Sequence, residues 1–226
     1  MMPRATAPLI TRIDALLFDF DGTLADSIPH ILASFQHATS EVLGHVPADE
    51  ELLVNVGIPL AQQMRLLVDD EDKAERLLVS YRDFNQRTHD DMVRSYPGVI
   101  EALEAIRVHG LPMGVVTSKG TAMALKGIEL LGLERFLSVL VTADDVPLHK
   151  PDPYPVRHAA QELQVDPARV AYIGDSPADI AAARGAGAVA IGATWGVSAR
   201  ERLEAAGPDF MLDDISQVPD LLFGSA

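Results

Sequence analysis

Leu16-Leu17-Phe18-Asp19-Phe20-Asp21-Gly22-Thr23-Leu24-Ala25-Asp26-Ser27 (residues 16–27) is the stretch whose reading decides the fold. Ala15 to Phe18 is uninterrupted and apolar, the pattern of a strand buried on both faces. The run then closes on two aspartates around one phenylalanine, followed by a glycine and a threonine. Side chains at i and i+2 of a strand share a face, so Asp19 and Asp21 point one way while Phe20 packs away. Buried strands seldom end on paired carboxylates without a task for them. In open parallel sheets that task lies beyond the carboxyl ends of the strands, where ligands sit.

Outward from this stretch the pattern changes twice. Ile13 to Phe20 reads as the first strand. From Ser27 to about Thr88 apolar residues recur at helical spacing, with Ile28, Ile31, Leu32 and Phe35 as one face and Leu77, Leu78 and Tyr81 as part of another. Breaks fall at Gly44 to Pro47 and at Gly57-Ile58-Pro59. The charges from Asp69 to Arg76 read as a solvated helix face. After Tyr96-Pro97-Gly98, helices alternate with strands predicted at Pro112–Thr117, Val139–Thr142, Arg169–Ile173 and Ala188–Ile191, and a last helix, strand and helix run through Arg200 to Leu222. Such alternation predicts an α/β fold, a doubly wound parallel sheet forming a Rossmann-like core. The core takes residues 1–23 and 96–226, and an all-helical insert takes residues 24–95.

Composition narrows the function. The chain has 226 residues, 48% of them hydrophobic, and 18 basic against 33 acidic residues give a formal charge of −15. That charge repels nucleic acid and anionic membrane, so neither is an expected partner. It repels phosphorylated substrates too, so a phosphate site must supply its own local positive charge. There is no cysteine, which excludes disulfides, thiolate metal sites and cysteine nucleophiles. Met1 to Arg12 lacks the apolar core of a signal peptide, and Gly185 to Val197 is too short and glycine-rich to span a bilayer. A cytoplasmic protein, monomer or homodimer, is the expectation.

The predicted strand ends collect one set of chemistry. The first gives Asp19 and Asp21, the second Thr117-Ser118-Lys119, the region after the third His149-Lys150-Pro151, and the fourth Gly174-Asp175-Ser176 with Asp179 following. Carboxylates so close cannot all stay ionised without positive charge among them. Hard oxygen ligands without histidine or cysteine suit Mg²⁺. Lys150, the Thr117 hydroxyl and backbone N–H groups near Gly22 and Ser118 are then available for phosphate oxygens.

Phe18-Asp19-Phe20-Asp21-Gly22-Thr23-Leu24, Val116-Thr117-Ser118, Lys150-Pro151-Asp152-Pro153 and Gly174-Asp175-Ser176-Pro177-Ala178-Asp179 resemble, in order, the four motifs of the haloacid dehalogenase-like hydrolase superfamily. The insert after the first motif resembles the superfamily's first class of helical cap. Asp144-Asp145-Val146 and Thr194-Trp195-Gly196-Val197 look most like phosphoglycolate phosphatases and their pyrophosphatase relatives. The resemblance implies a phosphatase acting on a small phosphorylated metabolite, with 2-phosphoglycolate the first candidate. It makes Asp19 the nucleophile that forms an aspartyl-phosphate and Asp21 the general acid and base. It gives Mg²⁺ to Asp19, the main-chain carbonyl of Asp21, and Asp175. Thr117 and Lys150 take the phosphoryl group, and Asp179 becomes a metal-shell or lysine-orienting carboxylate. Asp21 argues against the carbon–halogen and phosphonate branches, which lack an acid there. Ser118 stands where many phosphoglycolate phosphatases carry asparagine.

Plainer readings exist. Asp19 and Asp21 alone suit a strand-end turn, and Lys150 alone suits a solvated surface. Gly174 to Pro177 also reads as a helix start, with Ser176 as N-cap and Pro177 first in the helix. His149 and Trp195 are open between the site rim and structural places. A phosphosugar mutase of the β-phosphoglucomutase type would use the same aspartates, and Asp-Gly-Thr rather than Asp-Gly-Val leans toward the hydrolase. A non-catalytic binding module would have no need of so dense a cluster of charge.

Overall fold

A computed structural model describes residues 9–224. Residues 1–8 and 225–226, assigned above to the core, and most of the Met1–Arg12 segment lie outside the described residues. In chain order the regular elements begin with β1 (Ala15–Phe18), β2 (Ala25–Asp26), α1 (Ile28–Leu43), α2 (Asp49–Leu53), α3 (Leu60–Leu67), α4 (Glu71–Met92) and β3 (Arg94–Ser95). There follow α5 (Val99–Val108), β4 (Met113–Val116), α6 (Thr121–Leu130), β5 (Leu137–Val141), α7 (Tyr154–Glu162) and β6 (Val170–Gly174). The chain closes with α8 (Pro177–Ala186), β7 (Val189–Ala193), α9 (Arg200–Ala206), β8 (Phe210–Leu212) and α10 (Gln217–Phe223).

Six strands form one parallel sheet in the order β5-β4-β1-β6-β7-β8. The chain leaves β1 toward β4 and β5, then returns to its other side with β6. The order therefore reverses at β1, and the crevice at its carboxyl end is the ligand position of such sheets. Period-two alternation divides β1 between two layers. Leu16 and Phe18 join a cluster with Leu103, Ile106 and Val218, whereas Ala15 and Leu17 join Val156, Ala159 and Ile180 on the opposite face.

The ladder of β1 stops at Phe18, short of the expected Phe20, because the chain turns away. The Phe20 carbonyl accepts the N–H groups of Leu24 at 3.0 Å and Ala25 at 2.9 Å, and Gly22 takes φ +81°. That turn carries Asp21 away from the sheet, while Asp19 keeps its N–H on the Ile173 carbonyl at 2.8 Å and Phe20 stays buried in the core. The insert has an apolar cluster of its own, with Ile31 and Phe35 of α1, Leu52 of α2, Met64 of α3 and Leu77 and Tyr81 of α4. One feature departs from the all-helical expectation. β2 and β3 pair antiparallel where the chain enters and leaves the insert, Ala25 against Ser95 and Asp26 against Arg94. Two-residue strands carry no periodicity for a sequence to display.

Candidate active site

Asp19 follows β1 directly. Its Oδ1 accepts the N–H of Phe20 at 2.8 Å and lies 3.0 Å from Lys150 Nζ, and both side chains are buried. Lys150 also donates to Asp179 Oδ1 at 2.5 Å and to the Tyr172 hydroxyl at 3.1 Å. Asp179 stands in the first turn of α8, where it completes a capping box with Ser176. Its Oδ2 accepts the Ser176 N–H at 3.0 Å and the Ser176 hydroxyl at 2.6 Å. Ser176 is thus the N-cap and Pro177 the first helical residue, as the sequence suggested. With Oδ1 also 3.0 Å from the Tyr172 hydroxyl, both Asp179 oxygens are occupied by protein donors. Its geometry is that of a carboxylate orienting Lys150.

Asp175 lies in a cradle that only glycine permits. A Cβ at Gly22 would stand 2.0 Å from Asp175 Oδ2, and one at Gly196 would stand 2.2 Å from the same oxygen. The Val197 N–H donates to that oxygen at 2.6 Å. One ligand atom each from Asp19, Asp175 and Asp179 fall within 4.8 Å of one another, all three residues buried. Three carboxylates there face a single ammonium. The electrostatics follow from that surplus. Burial raises the Asp19 pKa to about 7 against the pull of Lys150, with the Asp179 charge adding to the rise. Burial and the charges of Asp179 and Asp19 raise Asp175 well above the usual carboxylate range. Burial pulls Lys150 down, but Asp179 and Asp19 outweigh it and hold the lysine as a cation. The donor set, all oxygen with a net negative charge, fits a divalent hard cation.

Asp21 behaves differently. Its Oδ1 accepts the Ser27 hydroxyl at 2.6 Å, and Lys119 Nζ lies 2.8 and 2.9 Å from its two oxygens. Burial pushes the Asp21 pKa up, but Lys119 and Ser27 prevail and hold it below its ordinary value. The Asp21 carboxylate is thus held between Ser27, at the entry to the insert, and Lys119, in the loop after β4.

Thr117 follows β4 and is buried, its hydroxyl accepting the Lys119 N–H at 3.2 Å. The Ser118 hydroxyl donates to the Gly57 carbonyl at 2.7 Å, tying the second strand's loop to the insert. Gly57 fits only because it lacks a Cβ, which would stand 2.6 Å from Ser176 Oγ. Gly22 donates its N–H to the Ala25 carbonyl at 2.9 Å, so its place is in the turn and the Asp175 cradle. His149 lines the cavity beside Lys150, and its buried Nδ1 has no hydrogen-bond partner. Trp195 donates through Nε1 to the Thr23 carbonyl at 3.0 Å and packs on the core.

Of these groups Asp19, Asp21, Thr117, Ser118, Lys119 and His149 line a cavity of about 550 Å³ between the sheet and the insert. Asp19, Asp21 and Thr117 form its floor, and Val56, Gly57 and Pro59 belong to its insert wall. Lys119, Ser27 and Tyr172 are the participants that sequence reasoning gave no role. Lys119 stood in the strand-end inventory, and adjacency to Thr117 was the one signal. Tyr172 reads from sequence only as a core strand residue.

Comparison with known proteins finds relatives over most of the chain. The family model described as "Haloacid dehalogenase-like hydrolase" matches residues 16–193. Pyrophosphatase PpaX of Bacillus cereus is 35% identical over 211 residues, covering 93% of this chain and 97% of that protein. Pyrophosphatase PpaX of Bacillus velezensis is 34% identical over 207 residues, covering 92% and 95%. Among solved structures, that of a predicted phosphoglycolate phosphatase from Haemophilus somnus superposes with a TM-score of 0.85 at 25% identity, covering 91% of this chain and 96% of that one.

Proposed function

The chain belongs to the haloacid dehalogenase-like hydrolase family and is a phosphoester hydrolase; from that premise we propose that it releases phosphate from a small phosphorylated metabolite through an aspartyl-phosphate on Asp19. The observation that carries this reading is Asp19 itself, a buried carboxylate 3.0 Å from Lys150 that opens on the cavity at the carboxyl end of the central strand.

In the first half-reaction an Asp19 oxygen attacks phosphorus and the bond to the leaving oxygen breaks, with Asp21 giving that oxygen a proton, which it carries only once Lys119 has moved off its two oxygens. In the second, Asp21 takes a proton from water, the water oxygen attacks the phosphoaspartate, and inorganic phosphate departs as Asp19 is regenerated. Lys150, the Thr117 hydroxyl and the Ser118 amide hold the phosphoryl oxygens, and Asp179 keeps Lys150 in place. Asp19, the Asp21 carbonyl and Asp175 would hold Mg²⁺, which when bound neutralises charge on the phosphoryl oxygens. The fit rests on the carboxylate surplus and on the glycine cradle that brings Asp175 to the cluster. Residues 1–23 and 96–226 act as the catalytic core and residues 24–95 as a cap, whose Val56–Pro59 loop faces the substrate.

Two substrates lead. Sequence motifs put 2-phosphoglycolate first. The names of the curated relatives move inorganic pyrophosphate ahead of it, since they cover nearly the whole chain at higher identity than the structural neighbour. Both leave an anion behind. The test is phosphate release from each with Mg²⁺, beside a coupled assay for glucose 6-phosphate from β-glucose 1-phosphate, with Asp19→Asn as control. Phosphate is expected from wild type only, and a phosphoenzyme is expected to be trapped from wild type only. Retention of more than a few per cent of activity in Asp19→Asn refutes the nucleophile, and efficient isomerisation with little phosphate release makes the protein a mutase.

A further inference from the structure

We propose that Lys119 selects the substrate, by binding a second negative charge carried on the leaving side of the phosphoryl group. This rests on the assignment of Asp19 and Asp21 above and adds a substrate class: short phosphate esters or anhydrides with an anionic tail.

The position of Lys119 follows from that of Asp21. Whatever leaves phosphorus departs on the side that Asp21 serves, because Asp21 must touch the leaving oxygen. Lys119 Nζ is within 2.9 Å of both Asp21 oxygens. Two hydrogen bonds sharing one carboxylate put the ammonium roughly 5 Å from the leaving oxygen. A carboxylate one methylene away, or a phosphoryl group bonded to that oxygen, comes within reach of the ammonium. A neutral alcohol of the same length brings it nothing.

The lysine is set for this use. Its side chain is only 11% exposed, so its charge is poorly screened. Its backbone is fixed at both ends, the N–H on Thr117 Oγ1 and the carbonyl accepting the Ala143 N–H at 3.0 Å. Asp21 is its one ion-pair partner among the described residues. Lys150, the ammonium buried behind Asp19, is committed to Asp19 and Asp179. Arg82 also lines the cavity, but from an exposed position on α4. In a chain of formal charge −15, a second substrate anion needs such a partner. On binding, Lys119 turns from Asp21 toward the tail, which frees the carboxylate to meet the leaving oxygen.

The experiment compares 2-phosphoglycolate with 2-hydroxyethyl phosphate, in which a neutral hydroxymethyl group replaces the carboxylate, and adds inorganic pyrophosphate. kcat/KM is measured for wild type, Lys119→Met and Lys119→Arg. Wild type is expected to favour the carboxylate by about 10- to 100-fold, the range that one hydrogen bond to a charged group supplies. Lys119→Met should collapse that ratio toward unity and lower pyrophosphate turnover in parallel, and Lys119→Arg should keep most of it. A wild type without preference overturns the assignment, and this outcome is read without any variant having to fold. An equal loss on all substrates in Lys119→Met also overturns it. If Asp19→Asn is inactive while wild type hydrolyses both esters equally, only the role of Lys119 fails. Turnover surviving in Asp19→Asn brings down the underlying mechanism instead.

Discussion

Gly196→Ala separates crowding of the cation site from ordinary backbone strain. The new Cβ would stand 2.3 Å from Asp175 Cβ and 2.2 Å from its Oδ2, where ordinary contacts begin at 3.4 Å. Relief requires roughly 1 Å of movement, and overpacking of that kind costs about 1–3 kcal/mol. The movement falls on a carboxylate anchored by the Val197 N–H at 2.6 Å, so it displaces the group assigned to Mg²⁺. A displacement of about 1 Å at a reacting centre costs on the order of a hundredfold in rate. Gly44→Ala is the control. Gly44 has φ +75° at the end of α1 and nothing within 4 Å of a new Cβ, so it carries only the left-handed penalty of about 1–2 kcal/mol. Urea unfolding should show similar destabilisation of the two variants. Calorimetric Mg²⁺ titration and phosphate release should show a loss of about tenfold or more in affinity and about a hundredfold in turnover for Gly196→Ala alone. Wild-type Mg²⁺ affinity and turnover in Gly196→Ala would refute the placement of Asp175 in the cation site.

The remaining predictions concern Lys150 and His30. Lys150→Ala should lower kcat by about a hundredfold or more, as removal of one preorganised charge does; a near-neutral effect in a phosphate-release assay would reduce Lys150 to a structural lysine. His30 is buried in the insert, 3.1 Å from Thr88 Oγ1, and burial, helped by Lys119 and His89 against Asp21, lowers its pKa to about 4. Its unfolded value is near 6.5, so the unfolded chain binds the extra proton between these limits. The stability it contributes is therefore complete above about pH 6.5 and lost as pH falls toward about 4, some ~2 kcal/mol of it by pH 5. Urea midpoints from pH 8 to 4.5 should fall less steeply for His30→Gln than for wild type, and equal slopes would contradict this assignment.

The parts of the fold that were legible rest on local rules. The apolar run of β1, the change from helical to alternating pattern at Tyr96-Pro97-Gly98, and the Ser176 capping box are set by neighbours within a few residues. The strand edges fell within a residue or two of expectation, since end residues belong as much to turns as to ladders. The ordered motifs rest on local patterns too: Asp19 and Asp175 each follow a strand that announces itself, whereas Lys150 lies in the loop well beyond β5.

The sequence by itself determined the fold class, the rim and the chemical character of what stands on it. Tertiary structure alone decided the partnerships. Lys119 meets Asp21 across 98 positions, Ser118 meets Gly57 across 61, and Tyr172 reaches Lys150 across 22. Asp179, whose sequence position suits a cation shell or a lysine partner alike, has both oxygens bonded by Ser176, Tyr172 and Lys150. The physical reason is the same in each case. Local sequence fixes which way a side chain leaves its strand or helix, but what it meets there depends on strand order and on how the insert sits over the sheet. Those are consequences of packing the two apolar layers and the insert's own core all at once, and no short stretch of sequence records them.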